Sequence, residues 1–155
     1  MQEITTYLAP RRLDEALQAM ADGDATVFCG GTDLSPQTES GVRQYQAKLL
    51  NLRRIEGLCG IDAGANEIRI GATTTVSEIR ASAALAEIAP VLVEAAERFA
   101  SEQLRNAASI GGNICNASPA GDTLVPLLVL DACVELASMP EAKLYRHYVL
   151  DILKA

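Results

Sequence analysis

The chain has 155 residues, 49% of them apolar, and a formal net charge of −7. That length suits one domain able to bury a core, and so high an apolar fraction excludes a disordered segment. Basic residues cluster no further than Arg11-Arg12 and Arg53-Arg54, so the positive face a nucleic-acid partner demands is missing, and no apolar run approaches the ~20 residues that span a bilayer.

Leu13, Ala16, Leu17 and Met20 recur at the i, i+3, i+4, i+7 spacing of a half-buried helix over 10–21, which Asp22-Gly23-Asp24 ends. A short apolar strand over 26–29 runs straight into Gly30-Gly31, and 48–52 reads as a second strand. Segments 58–62 and 67–72 flank Ala63-Gly64-Ala65-Asn66, a hairpin pattern. Thr75 is expected to cap a short helix over 76–80, with Glu78 at the capping-box position. Pro90 opens a helix to about residue 100, its apolar face carrying Val91, Leu92, Ala95 and Phe99. A further short helix is expected over 123–130 and a strand over 133–137. Ser138-Met139-Pro140-Glu141 fits a capping box, predicting a helix over 140–154 with Leu144, Tyr148 and Ile152 as a narrow stripe. Strand–helix alternation followed by hairpins gives a mixed α+β class rather than a doubly wound sheet. No internal repeat or low-complexity stretch interrupts it.

Two glycine-rich segments carry the chemistry: TVFCGGTDL over 26–34 and AASIGGNICNASPAGDTLVP over 107–126. A Gly-Gly pair lets backbone approach a bulky ligand and adopt dihedrals that a Cβ forbids. Successive N–H groups beside a hydroxyl hold a phosphate without a formal cation, which an acidic chain requires. In the first segment Thr32 either caps the next turn or binds a phosphate oxygen. The residues match neither G-x-x-x-x-G-K-[ST] nor G-x-G-x-x-G, which excludes P-loop and Rossmann assignments. In the second segment Ser109, Gly111, Gly112 and Asn113 offer a hydroxyl, close backbone amides and a side-chain amide, although Asn113 also suits simple turn closure. Asp122 reads either as a helix cap or as a carboxylate accepting from ribose hydroxyls. Two such segments and an acid suggest a diphosphate gripped from two sides.

Cys29, Cys59, Cys115 and Cys133 show no C-x-x-C spacing and no clustering, so reduced small residues are expected rather than metal or cluster ligands. MQEITTYLAP has no basic stretch ahead of an apolar one, so no secretory signal is read and a cytoplasmic location is expected. His147 has no nucleophile or acid arranged near it in sequence, which leaves a catalytic triad without support and suggests a solvent-facing helical residue.

Val27-Phe28-Cys29-Gly30-Gly31-Thr32-Asp33-Leu34, Ile70-Gly71-Ala72-Thr73-Thr74-Thr75, Arg105-Asn106, Ser109-Ile110-Gly111-Gly112-Asn113 and Ala117-Ser118-Pro119 with Asp122 together resemble the FAD-binding domain of molybdenum-hydroxylase flavin subunits, the family of xanthine dehydrogenase and aerobic carbon monoxide dehydrogenase. The resemblance runs from about Ile4 to Ala137. It implies the FAD-binding fold of the vanillyl-alcohol oxidase / PCMH type, with an N-terminal αβ subdomain over 1–55 and a second sheet-containing subdomain over 56–137. Beyond Ser138 the pattern is expected to depart, leaving 138–155 as a divergent helical tail without the family's further strand and C-terminal domain.

The resemblance also implies FAD contacts at Val27, Phe28, Cys29, Gly30, Gly31, Thr32, Asp33, Leu34, Ser109, Ile110, Gly111, Gly112, Asn113 and Asp122. It places a cofactor-contacting aromatic at Phe99, a residue that core packing would equally explain. Arg105 and Asn106, just before the second segment, read either as solvated loop residues or as supports that orient it, and support is the expectation. The implied function is electron transfer. A molybdenum–pterin large subunit and a [2Fe–2S] small subunit deliver electrons to FAD here, and NAD, quinone or oxygen accepts them. No catalytic acid or base is expected, because the flavin carries the redox chemistry. The alternatives are a stand-alone flavin oxidoreductase of the same superfamily and a non-catalytic interaction or assembly module.

Overall fold

The computed structural model describes residues 3–21, 23–65, 67–138 and 143–148. Strands β1 (Thr6–Leu8), β2 (Ala25–Phe28) and β3 (Lys48–Asn51) form a parallel sheet in the order β1-β3-β2. Helix α1 (Leu13–Met20) follows β1, and α2 (Leu34–Glu39) follows β2. The predicted amphipathic spacing buries Ala16 and Leu17 on α1, and Ala16 joins Leu50 of β3 and Ile55 in a small core. That core gathers Leu8, Leu13, Ala25 and Leu58, so the N-terminal segment carries its own apolar packing.

A second, larger core begins at the predicted hairpin, β4 (Ile61–Ala63) paired antiparallel with β5 (Ile68–Ile70). Helices α3 (Val76–Ala81), α4 (Ala83–Ile88), α5 (Pro90–Arg98), α6 (Glu102–Ala107), α7 (Ile110–Asn116) and α8 (Leu124–Val129) follow. The capping box at α3 forms as the sequence indicates: the Thr75 hydroxyl accepts from the Glu78 N–H while Glu78 Oε2 accepts from the Thr75 N–H at 2.7 Å. Helix α5 sits centrally against α3, α4 and α8. Its buried residues are Leu92, Val93 and Ala96, with Phe99 just beyond, while Val91 is exposed. The buried face is thus rotated from the expected one, because α5 is covered by helices on several sides rather than by one sheet.

Strand β6 (Cys133–Ser138) pairs antiparallel with β7 (Lys143–Tyr148), Cys133 opposite Tyr148 and Ser138 opposite Lys143. The helix expected over 140–154 is therefore not present across 143–148, and His147 stands on a strand opposite Val134. Apolar residues four apart, as Leu144 and Tyr148 are, satisfy both the helical period and the strand period of two. Pairing with β6 decides between them. The rest of that expected helix lies outside the described residues. Elements without sequence expectation are β1, α2, α4, α6 and α7. The last is the most consequential, since it converts the second glycine segment from a turn into a helix start.

Candidate functional site

The first wall of the site begins where β2 ends at Phe28. The chain leaves the sheet through Gly30 and Gly31, and Gly31 has φ +69°, the left-handed region that favours glycine. At Gly30 the demand is steric: a Cβ there would stand 2.0 Å from the Ala107 carbonyl oxygen and 2.6 Å from its carbon. Backbone therefore lies directly on backbone between two segments far apart in sequence. Arg53, just after β3, locks this junction by donating from Nη2 to the same Ala107 oxygen at 2.9 Å. Beyond Gly31 the N–H groups of Thr32, Asp33 and Leu34 have no protein acceptor among the described residues. Asp33 is the N-cap of α2 without a side-chain cap bond.

The second wall is the start of α7. Ser109 is its N-cap, with Oγ accepting from the Gly112 N–H at 3.2 Å. The Ile110 N–H donates to Thr74 O at 3.0 Å and the Gly111 N–H to Ala72 O at 2.9 Å. Asn113 N–H returns to Ser109 O at 3.0 Å. The first-turn amides of α7 are thus committed to protein acceptors, contrary to the expectation that they face a ligand. Gly111 owes its identity to the same packing, since a Cβ would meet Ala72 O at 2.6 Å. What α7 still offers outward is the Ser109 hydroxyl hydrogen and the Asn113 amide nitrogen. Asn113 Oδ1 is occupied, accepting from Thr123 Oγ1 at 2.6 Å and from the Thr123 N–H at 3.4 Å, both residues being buried.

Between these walls lies one open cleft. Val27, Phe28, Cys29 and residues 30–34 line one side, and Phe99, Ser109, Gly112 and Asn113 line the other. Most of the residues expected at a cofactor site are therefore brought together. Three are not on the cleft surface. Ile110 is buried in the larger core, Gly111 backs onto Ala72, and Asp122 lines a separate depression with Val91, Glu94, Ala95, Arg98 and Pro126. Phe99 belongs to both settings: 9% exposed, it packs in the core and also lines the cleft. Arg105 steadies it, donating from Nη1 to Phe99 O at 2.7 Å and to Ala100 O at 3.0 Å, where Ala100 adopts φ 34°. Asn106 Oδ1 accepts from Ser77 Oγ, tying α6 to α3. The side chains of Arg105 and Asn106 thus bond to the end of α5 and to α3 rather than to the second glycine segment.

Sequence reasoning missed Gln37, Arg43, Ala108 and Asn116 on the cleft surface. Gln37 Nε2 donates to Asn116 Oδ1 at 2.9 Å, a tie between α2 and α7, and Gln37 Oε1 is buried without a partner among the described residues. No periodic signal announces α2, whose LSPQTE carries Pro36 and few apolar residues, so Gln37 could not be placed. Cys29 and Cys115 are free thiols on the cleft; local desolvation pushes the Cys115 thiol above the ordinary range. Among the described residues no group of His, Cys, Asp and Glu could hold a metal ion, and no helix is long and apolar enough to cross a membrane.

These features suit an elongated ligand with a polar centre: close backbone, unpaired amides, a hydroxyl, a side-chain amide and an aromatic side chain on one cleft. Comparison with known proteins agrees. Residues 2–146 match the family model described as the FAD binding domain in molybdopterin dehydrogenase, so the family pattern does not stop at Ser138 as expected but continues into β7. The 6-hydroxypseudooxynicotine dehydrogenase complex subunit alpha of Paenarthrobacter nicotinovorans is 32% identical over 95% of this chain and 52% of its own length. The xanthine dehydrogenase FAD-binding subunit of Escherichia coli O157:H7 is 31% identical over 89% of this chain and 48% of its own. Among solved structures, carbon monoxide dehydrogenase from Hydrogenophaga pseudoflava superposes with a TM-score of 0.89 at 26% identity, covering 96% of this chain and 52% of that one. The chain thus spans about half the length of the relatives it matches. Fold, cleft and family match converge: the chain belongs to the family of FAD-binding domains of molybdopterin dehydrogenases.

Proposed function

We propose that the cleft holds FAD, and that the protein containing this chain is the flavin-bearing electron-transfer component of a molybdenum hydroxylase. The observation that carries the reading is the junction at Gly30, where two segments expected to grip one diphosphate meet backbone to backbone and form the two walls of a single cleft. In this assignment the unpaired amides of Thr32, Asp33 and Leu34 bind phosphate oxygens. The Ser109 hydroxyl and Asn113 Nδ2 donate from the opposite wall, and Phe99 lays its edge against a ring of the ligand. Asp122, set apart on its own depression, serves the ribose end if the ligand extends past Phe99. Bound FAD supplies one- and two-electron redox chemistry that no side chain of the cleft provides. The chain's own residues position the flavin and supply donors to its diphosphate.

The proposal extends to a complex in which a molybdenum–pterin large subunit and a [2Fe–2S] small subunit are the partners and NAD, quinone or oxygen is the acceptor, in the cytoplasm; its support is that relatives are named a FAD-binding subunit and a medium chain, parts of larger assemblies. Titration of the purified chain with FAD, followed by absorption spectroscopy and chromatography of the released cofactor, tests the core of this proposal. Stoichiometric FAD supports it. Selective retention of FMN, or no flavin under any reconstitution condition, overturns it. Co-purification with molybdenum and iron–sulfur subunits tests the wider assignment.

A further inference from the structure

We infer that Arg43 is the charge that sets the affinity of the cleft for an anionic ligand, an inference that rests on the cleft being the flavin site. The starting point is a deficit. The glycine segments promise two sets of backbone amides, yet those of Ile110, Gly111, Gly112 and Asn113 are spent on Thr74, Ala72 and Ser109. A diphosphate lying between the walls therefore meets N–H donors from one side only. That same side carries Asp33, a carboxylate on the cleft surface that repels it.

Among the residues lining the cleft, Arg43 is the single cation. It reaches the cleft by a turn built for the purpose: Gly41, at φ +77°, reverses the chain after α2, and the Arg43 N–H donates back to Gln37 O at 3.1 Å. This pins Arg43 to the helix that already presents Gln37 to the cleft. Arg43 is exposed and its guanidinium has no acceptor among the described residues, so its donors remain for an incoming group. A guanidinium stays protonated at all accessible pH and matches phosphate oxygens with paired donors. It also offsets Asp33 within a chain of net charge −7. The sequence gives no hint of this role, because Arg43 belongs to no basic cluster and lies outside both glycine segments.

The test is FAD titration of the unaltered chain and of Arg43→Gln, Arg43→Lys and Arg80→Gln across a series of salt concentrations, with circular dichroism of each. Arg80, exposed in the last turn of α3 and on neither depression, serves as a charge-matched control. Arg43→Gln is expected to weaken FAD roughly tenfold or more, the effect of losing one charge-assisted contact, and to flatten the salt dependence. Arg43→Lys should recover part of the loss, and Arg80→Gln should leave affinity unchanged. FAD binding by Arg43→Gln with unaltered affinity and salt slope overturns this inference alone. Equal weakening by Arg80→Gln also overturns it, reducing the effect to bulk charge. Absence of FAD binding by the unaltered chain sinks the flavin reading and this inference with it.

Discussion

Replacing Gly30 with alanine adds one methyl group at the point where the two walls of the cleft touch. The added Cβ would sit 2.0 Å from the Ala107 oxygen, and the obstacle is backbone on both sides, with no flexible side chain to swing away. Relief to an ordinary contact requires the 30–34 segment to retreat by about 1 Å or more. That movement draws the Ala107 carbonyl away from Arg53 Nη2, now at 2.9 Å. Overpacking of a closed contact costs ~1–3 kcal/mol and loss of a hydrogen bond to a charged group ~1.5–3 kcal/mol. Partial relaxation shares the two terms, so a destabilisation of about 2–4 kcal/mol is expected. FAD affinity should fall at least tenfold, equivalent to ~1.4 kcal/mol, because donors on opposite walls no longer meet one diphosphate together. Denaturant unfolding followed by flavin titration measures both effects. Gly57→Ala is the control: Gly57 has φ +82° with nothing within 4 Å, so strain of about 1 kcal/mol is expected without change in FAD affinity. A Gly30→Ala chain that unfolds at the unaltered midpoint and binds FAD equally well would refute the reasoning.

Gly112→Val should abolish FAD binding, since even the first added carbon meets Ser109 Oγ at 2.9 Å and the branches enter the cleft, whereas Asp122→Asn, on the separate depression, should cost ~1–3 kcal/mol at most; equal and negligible effects in the same titration would reduce both segments to plain turns. Thr123→Val keeps shape but removes the hydroxyl that Asn113 Oδ1 accepts at 2.6 Å in a buried setting, and a loss of ~1–3 kcal/mol in chemical denaturation is expected. Glu78 is held below the usual carboxylate value of 4.5, first by the Thr75 N–H and then by the Thr75 hydroxyl. Its folded pKa is depressed, so the stabilisation is present above the unfolded value and is lost as pH falls from about 4.5 through the folded value. Thermal unfolding between pH 7 and pH 3 should therefore show an acid-side decline smaller in Glu78→Gln than in the unaltered chain; identical curves would contradict it.

How much of this was written in the sequence follows from the range of the forces involved. Local signals determined the elements with strong periodicity or capping: α1 from its apolar spacing, α3 from Thr75 and Glu78, α5 from Pro90, and the β4–β5 hairpin from its turn residues. The two glycine segments were legible as well, and most of the residues they nominated line one cleft. Short helices such as α2 and α7 were not, because six or seven residues with Pro36 or paired glycines carry no period to read. The β7 strand was misread as a helix because spacing by four fits both periods until β6 supplies its ladder.

Only the tertiary structure decided what the glycines are for. Gly30 and Gly31 looked equivalent in sequence, yet one is required by the Ala107 carbonyl and the other by its own positive φ. Gly111 looked like a ligand contact, and the structure sets it against Ala72, where an added Cβ would meet the carbonyl oxygen at 2.6 Å. Arg43 and Gln37 had no motif to mark them, and they reach the cleft because α2 and its reversing turn carry them there. A residue type states which contacts are allowed, through its bulk, charge and donors. Which neighbour takes up that allowance depends on segments distant in the chain, and folding alone brings those to within van der Waals distance.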